Sequence, residues 1–572
     1  MIGVISRENE AHIVKEFFQL FKTPWEYYLP QKSYDIVLST KDVHQMEAKV
    51  LLIYNSRMCM VDSIHGIVTQ PQDKKELLKY KNHEYPIYGN QLTFISSHPP
   101  LIQTKGGSGI AGLKINANKK QVLRIGYDLF EEISFLLTEG QPKENAIIPT
   151  LEIHILMLRD WILQAEIPLV EIPPIPAGHK FFVCLTHDVD FAGIRRHKFD
   201  PTMWGFIYRA LVGSFFAALK GRLSWSKVIK KWMAVLSLPG VYLGLARDFW
   251  FQFDRYLKID KNFGSTFFII PFKNSPGDEK AVKASRRRAV RYDITDISKL
   301  AKAILDEGYE IGLHGIDAWH DSAKGRQEMN RICEVVDCSE IGVRMHWLYF
   351  DEHSPQALEK AGFIYDSSFG HNDAVGHRAG TTQAFQPMGA QILLELPLHI
   401  MDTALFYGKR MNLSDSQAAA LCDRLIEDAV RFGGSLTINW HHRSLAPERL
   451  WGEFYSNLLR ELEARGAYFM AAMRVVKWFQ KRREILFEEV CFTKSGLKAR
   501  FKRADFDCDP PLLLRVYLPS ERVSTNDDFL SSAQNSFEVI LSNARDMQIT
   551  FEDVLNREPS EKDSDRSVSA KE

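Results

Sequence analysis

The sequence predicts an α/β fold in which helices cover a parallel sheet or barrel, and three observations support this. From residue 181 to about 485, strand-like apolar runs alternate with helix-like segments. Polar and ionisable residues gather at the C-terminal ends of those runs, where parallel sheets build their sites. A composition of 45% hydrophobic and 25% charged residues is typical of a globular chain with a large core.

Its 572 residues predict several domains rather than one. Residues 1–172 alternate strand-like and helix-like pieces, which predicts an N-terminal α/β domain of unassigned role. The segment 170–180 carries three prolines and a glycine and predicts a linker. After it come a predicted site domain over 181–485, a small β element over 486–556 and a disordered, almost apolar-free tail over 557–572.

The strands of the predicted site domain are runs rich in β-branched and aromatic residues. They are FFVCLTHD (181–188), GSTFFIIP (264–271), YEIGLHG (309–315), IGVRMHW (341–347) and GSLTINWHH (434–442). Between them, 293–308 predicts a helix that begins near Asp293 or Thr295 and stops at Gly308.

Two further segments have helical patterns. Residues 121–140 of the N-terminal part have helical apolar spacing and a final glycine, which predicts a helix there. Residues 197–260 are rich in Trp, Phe and Lys and interrupt the strand–helix rhythm. We therefore expect a helical insertion beside the site, between the first two strands.

Charge and cysteine content exclude some classes of function. Lys+Arg and Asp+Glu both number 72, so no global field for nucleic acid arises. The seven cysteines are scattered and form no Cys-x-x-Cys, which argues against a disulfide framework or a cysteine zinc site. The N-terminus lacks the pattern of a signal peptide, and we expect a cytoplasmic protein of unassigned oligomeric state.

The apolar stretch 203–221 contains Arg209 and is short for a membrane span. It predicts a buried or interfacial helix rather than a transmembrane one. Peripheral contact with a membrane through residues 203–246 stays open.

Polar residues end nearly every predicted strand. They are His187, Asp188 and Asp190, then His314 with Asp317 and His320, then Arg344 and His346, then Asp366, Asp402, His441 and His442. Each alone is commonly structural: a strand-end Asp often caps a helix, and a lone His is often only hydrogen-bonded. Together they indicate one metal-assisted hydrolytic site.

Asp188 and Asp190 are two residues apart on an extended strand, so both carboxylates face the same side. Two close carboxylates repel each other unless a cation lies between them. The spacing therefore favours a metal ion there.

The ordered motifs over about 181–480 resemble those of the polysaccharide deacetylases, carbohydrate esterase family 4. The matching residues are THDVD (186–190), EIGLHG (310–315), Arg344, AGFIYDSSFG (361–370) and the last strand's histidine. The resemblance implies a distorted (β/α) barrel that removes acetyl groups from a carbohydrate substrate. It also implies a divalent metal, usually Zn²⁺, held by one Asp and two His.

By this resemblance Asp188 is the catalytic base, Arg344 the arginine that holds it, and His441 the general acid, with His442 the alternative. Asp190 and His314 match metal ligands. The family's second histidine falls on Ala318, so His320 is the expected third ligand, with Asp317 and His346 as alternatives. Asp402 is a further candidate, either as a metal ligand or as the residue that orients Arg344 or the general acid.

The segment of Tyr365, Asp366, Ser367 and Ser368 is expected to form the oxyanion and substrate loop. Two alternative functions remain: a cyclic-amide or allantoin-type hydrolase on the same fold, and a glycan-binding protein that has lost catalysis.

Overall fold

The computed structural model describes residues 1–43, 46–72, 76–117, 120–221, 223–278, 288–493, 495–502, 507–519, 536–541 and 546–551. The predicted tail over 557–572 lies outside these residues. The predicted domain boundaries themselves stay predictions.

A mixed sheet of eleven strands forms the N-terminal part. Its strands are β1 (Ile2–Ile5), β2 (Trp25–Tyr27), β3 (Ile36–Ser39), β4 (Val50–Tyr54), β5 (Val68–Pro71), β6 (Leu78–Tyr80), β7 (His83–Tyr85), β8 (Leu92–Ile95), β9 (Pro100–Thr104), β10 (Ile110–Ala117) and β11 (Lys120–Ile125). Helices α1 (Ala11–Phe21), α2 (Met60–Ile64), α3 (Leu129–Thr138) and α4 (Thr150–Gln164) accompany it.

The helix predicted over 121–140 is wrong in its first part. Residues Lys120–Ile125 are a strand that pairs in parallel with Val50–Tyr54, and only Leu129–Thr138 is helical. The Asp128 side chain accepts hydrogen bonds from the backbone of Phe130 and Glu131, so the helix begins there.

A parallel sheet carries the predicted site residues. Its strands are β13 (Phe181–Val189), β14 (Ser265–Ile269), β15 (Glu310–Gly315), β16 (Val343–Met345), β17 (Tyr365–Asp366), β18 (Leu394–Glu395), β19 (Leu398–Met401), β20 (Ser435–Asn439) and β21 (Ala467–Phe469). The order is β18-β17-β16-β15-β14-β13-β20-β19, and β21 also pairs with β13. The mixed α/β fold predicted from the strand–helix rhythm is confirmed.

The sheet is curled into a half-barrel. Strands β13 and β16 are three places apart, which in a flat sheet would separate them by roughly 14 Å. Yet Arg344 Nη1 on β16 lies 3.2 Å from Asp188 Oδ1 on β13. The contact runs across the concave side, so the curvature itself assembles the site.

Helices cover the outside of this sheet. They are α10 (Ser298–Asp306), α11 (Ser322–Val336), α12 (Ser354–Ala361), α13 (Asp402–Phe406), α14 (Asp415–Phe432) and α15 (Gly452–Ala464). Their buried apolar faces join the strands in one continuous core that includes Leu185, Ile269, Leu313 and Ile438. Helix α16 (Ala472–Glu484) packs instead with Phe182, Cys184 and Phe268, which lie on the other face of strands β13 and β14.

The segment 197–260 is helical, with α5 (Pro201–Tyr208), α6 (Ser214–Leu219), α7 (Trp225–Leu236), α8 (Leu238–Tyr242) and α9 (Phe253–Ile259). A π-helical turn at Arg209–Gly213 joins α5 to α6. The resulting helix, Pro201–Leu219, is long and apolar enough to cross a membrane by length and composition alone, and 22% of its 18-residue apolar window is buried. Soluble core helices pass the same test, so this is weak evidence for a span.

The C-terminal strands form two small sheets. Strands β22 (Phe487–Phe492), β23 (Gly496–Phe501) and β26 (Asp546–Thr550) make one; β24 (Leu513–Tyr517) and β25 (Ser536–Ile540) join β12 (Leu169–Glu171) in the other. The second sheet pairs the C-terminal segment with the predicted linker.

Substitution of Gly342 tests the packing of the sheet next to the site. A Cβ atom at Gly342 would lie 2.0 Å from the Tyr365 ring, whose hydroxyl donates to Glu310 Oε1 at 2.7 Å. We expect Gly342→Ala to lower the free energy of unfolding by about 1–3 kcal/mol, because the ring must move. Gly408→Ala is the matched control, since its nearest atom lies 4.0 Å away. Equal denaturation midpoints for the two variants would contradict this packing.

Candidate active site

The end of β13 sends alternate side chains to opposite sides of the sheet. His187 points into the core, where its Nε2 lies 2.7 Å from Asp260 Oδ2 and its Nδ1 2.8 Å from the Trp440 carbonyl oxygen. Asp188 and Asp190 point to the concave side, and Val189 between them is fully buried. The strand's period of two therefore places both carboxylates in one cavity.

Asp188 is buried and held at both oxygens. Arg344 Nη1 donates to Asp188 Oδ1 at 3.2 Å and to Thr186 Oγ1 at 2.6 Å, and Asn439 Nδ2 donates to Asp188 Oδ2 at 2.7 Å. Burial alone would raise the pKa of Asp188, but the nearby His314 and Arg344 outweigh it and hold the pKa below its ordinary value. The carboxylate is thus kept ionised and oriented.

Asn439 is absent from the sequence-predicted set. It lies at the end of β20, two residues before His441. Period-two alternation along that strand is the signal that could have found it.

Arg344 is fully buried, and hydrogen bonds to Ser367 hold its guanidinium group in place. Its Nε donates to the Ser367 carbonyl oxygen at 2.9 Å and its Nη2 to Ser367 Oγ at 2.8 Å. One guanidinium nitrogen therefore reaches Asp188, while the other two anchor the arginine to Ser367, the residue directly after strand β17.

Three side chains form the group that could hold a metal ion: Asp190, His314 and His346, with ligand atoms all within 4.8 Å of one another. His314 Nδ1 donates to the Arg344 carbonyl oxygen at 2.9 Å, which leaves its Nε2 free to act as a ligand, 3.4 Å from Asp190 Oδ1. His346 Nε2 lies 3.6 Å from the same oxygen.

This group fits a divalent cation. Asp190 Oδ1 is buried and has no hydrogen-bond donor among the described residues. Nearby histidines hold the pKa of Asp190 well below its ordinary value despite its burial, and burial lowers the pKa of His346 to about 3. One carboxylate and two imidazoles are a donor set that Zn²⁺ takes in catalytic sites.

His320, the expected third ligand, lies elsewhere. Its Nε2 is 3.5 Å from Asp317 Oδ1, and Asp317 also accepts from Lys324 Nζ at 3.2 Å. Glu328 binds the backbone N–H groups of Ile316 and Asp317 and so fixes this loop on helix α11. The structure places His346, one of the two alternatives, with Asp190 and His314 instead of His320 or Asp317.

His441 faces the same cavity and is paired with Asp402. Asp402 Oδ1 accepts from His441 Nδ1 at 2.6 Å, and Asp402 Oδ2 accepts from the His441 backbone at 2.8 Å. His441 Nε2 then lies 3.7 Å from Asp190 Oδ2. Burial opposes protonation, but Asp402 outweighs it and raises the pKa of His441.

His442, the alternative to His441, turns to the core. Its ring stacks on Phe253 at 5.2 Å, and burial lowers its pKa to about 3. The cavity therefore receives His441 from this pair.

The side chains of the expected oxyanion and substrate loop lie away from the cavity, and the binding of an oxyanion by its backbone N–H groups stays a prediction. The side chains of Tyr365, Asp366, Ser367 and Ser368 are fully buried behind Arg344. Ser368 Oγ donates to Asp366 Oδ1 at 2.5 Å and accepts from the Met345 backbone at 2.8 Å. Burial raises the pKa of Asp366 to about 6 and also raises that of its neighbour Glu395. These buried side chains hold Arg344 and the Met345 backbone in place and do not line a substrate pocket.

No protein-family model matches the sequence, and no curated protein matches it significantly. Solved polysaccharide deacetylases are among the structures similar to this chain. One described as such from Mycobacterium smegmatis has 17% identity and a TM-score of 0.34, covering 56% of this chain and 99% of its own. One from Pseudomonas aeruginosa PAO1 has 13% identity and a TM-score of 0.34, covering 54% and 94%.

A solved allantoinase is also similar, with 13% identity and a TM-score of 0.32, covering 54% of this chain and 92% of its own. Identities and TM-scores this low give no information on the reaction, which has to come from the side chains of the site.

Metal content tests the choice between His346 and His320. We expect Asp190→Ala, His314→Ala and His346→Ala each to lower bound metal at least tenfold after dialysis, because each removes one of three protein ligands. His320→Ala is the matched control and should retain it. Metal is measured by mass spectrometry of the folded proteins, and loss in His320→Ala but not in His346→Ala would contradict the assignment.

Proposed function

We propose that this chain is a metal-dependent hydrolase that removes N-acetyl or O-acetyl groups from a carbohydrate. The observation that supports this best is the arrangement of a fixed, ionised Asp188 and an Asp402-paired His441 around the Asp190–His314–His346 group. A base, an acid and a metal site around one cavity are what the hydrolysis of an acyl group requires. The motif resemblance points to acetylated carbohydrate as the substrate class.

In this proposal Asp190, His314 and His346 would hold the metal, which we take to be Zn²⁺. When bound, the metal would polarise the acyl carbonyl and lower the pKa of a water molecule. The three protein ligands leave room for such small ligands, as in catalytic rather than structural zinc sites.

Asp188 takes the proton from the attacking water. Arg344 and Asn439 bind one oxygen each, so the carboxylate is ionised and cannot rotate away. Thr186 bridges the arginine to the same strand. The base is thus positioned before substrate arrives.

His441 delivers a proton to the leaving nitrogen or oxygen from its Nε2. Asp402 binds Nδ1, so the opposite ring nitrogen faces the cavity and the protonated form is favoured. Ser444 Oγ also donates to Asp402 and helps to keep this carboxylate in place.

An acetate-release assay on a panel of N- and O-acetylated saccharides, with and without chelator, tests the proposal. We expect metal-dependent release that Asp188→Asn lowers by about 10²–10⁴-fold while metal content is retained. Asp254→Asn, at an exposed position, is the control. Allantoin and other cyclic amides belong in the panel. Turnover of those alone, or of no acylated compound at all by the metal-loaded protein, would refute deacetylation.

The pH profile separates the role of Asp402 from simple stability. His441 must be protonated to act as an acid, so activity should fall as the pH rises through its pKa, which Asp402 raises. In Asp402→Asn we expect lower kcat and a descending limb shifted to lower pH. An unshifted limb would contradict the pairing.

A further inference from the structure

We propose that the helical insertion is a docking surface for an anionic lipid bilayer and lies in the plane of its interface. The docking face is defined as the outward sides of the Pro201–Leu219 helix and of helix Trp225–Leu236. This inference does not depend on the proposed reaction.

The first helix exposes an apolar stripe. Trp204, Tyr208, Val212 and Leu219 recur at intervals of four and seven residues, which places them on one side of the helix, and all four are exposed. The opposite side holds Phe206 and Ala210, which are fully buried against Trp250. The helix is therefore apolar on both its inner and its outer side.

The second helix repeats this pattern. Trp225, Ile229, Met233 and Leu236 recur at intervals of four and three residues and are exposed, whereas Val228 and Ala234 are buried. Phe215 and Phe216 of the first helix are also exposed and belong to the docking face. The ring centroids of Phe215 and Trp225 lie 6.0 Å apart, so the two stripes meet in one surface. A surface of this extent is unfavourable in water unless something apolar covers it.

Charge identifies the covering partner. The segment 201–247 carries the basic residues Arg209, Lys220, Arg222, Lys227, Lys230, Lys231 and Arg247 and no Asp or Glu. Of these, Arg209, Lys220 and Lys230 are exposed beside the apolar stripes. Basic side chains next to exposed Trp, Phe and Leu, in a segment without Asp or Glu of its own, match an anionic lipid surface. One acidic side chain from outside the segment, Asp415, lies 3.6 Å from Lys227 Nζ. The Trp and Tyr residues suit the headgroup region.

Anchoring of the insertion favours an interfacial position over a span. Arg195 donates to the carbonyl oxygens of Val241 at 2.8 Å and Ala246 at 2.6 Å, and Lys231 Nζ donates to that of Glu448. Trp250 Nε1 donates to Glu448 Oε2 at 2.6 Å. To cross a bilayer, the Pro201–Leu219 helix would have to leave the cluster in which Phe206 and Ala210 are buried with Trp250, so the face acts as a preformed, rigid surface.

The docking face is joined to the loop that carries His441. Arg443 stacks on Phe191 at 4.2 Å and on Trp250 at 4.4 Å, and its Nε lies 2.9 Å from Glu448 Oε1. A bilayer on this face would therefore lie beside the candidate site. If the proposed function holds, a saccharide presented at the membrane surface is the substrate class that this placement favours.

Vesicle co-sedimentation of the full chain tests the proposal without any reaction. We expect binding to phosphatidylcholine vesicles that contain phosphatidylglycerol, weaker binding to phosphatidylcholine alone, and loss of the difference at high salt. Lys230→Gln should weaken binding to the anionic vesicles about fivefold. No binding to either vesicle would overturn the proposal.

A double variant tests the apolar stripes. Phe216→Asn with Leu236→Asn should lower vesicle binding at least about tenfold. The matched control is Ile95→Asn with Ile392→Asn, because the paired residues have nearly equal exposures, 55% and 73% against 56% and 73%. Unchanged vesicle binding in the first variant would overturn the proposal. A second outcome would also overturn it: the chain binds no vesicles, forms a dimer in sedimentation experiments, and becomes monomeric in this double variant. The docking face would then join two copies of the chain.

Discussion

Two carboxylates at the end of one buried strand set the constraint on which the rest of the site depends. Asp188 and Asp190 face the same cavity and repel each other; Asp188 is buried, and only 21% of the Asp190 side chain is exposed. Such a pair stays ionised only if positive charge and hydrogen-bond donors surround it. Arg344, Asn439, His314, His346 and His441 lie around these two residues, and each contacts at least one of them.

The curled sheet makes this neutralisation feasible. Arg344 is three strands away from Asp188 along the sheet, and only the curvature brings their side chains into contact. Buried residues next to Arg344 stabilise this contact. Ser367 accepts a hydrogen bond from the Arg344 guanidinium, and Ser368 links the Met345 backbone to Asp366 through two hydrogen bonds. The strands therefore supply the site residues, and the curvature of the sheet brings their side chains into contact.

Much of this could be predicted because strands alternate with a period of two. The alternation put Asp188 and Asp190 on one side, and it also places Arg344 and His346 together at the end of one strand, next to His314 on the adjoining one. His320 was favoured by its nearness in sequence to His314, but Glu328 binds the intervening loop and no local pattern reveals that contact. The strand Lys120–Ile125 was likewise hidden, since its partner Val50–Tyr54 is distant in sequence. Residues 365–368 matched a motif, yet which of them would be covered depends on tertiary packing.

The most direct test of the account is anomalous diffraction from crystals of the full chain grown with zinc, measured on either side of the zinc absorption edge. The account predicts a peak bonded to Asp190 and to the Nε2 atoms of His314 and His346, at about 2.0–2.2 Å. A peak bound instead by His320 and Asp317, or no peak within reach of Asp190, would contradict it.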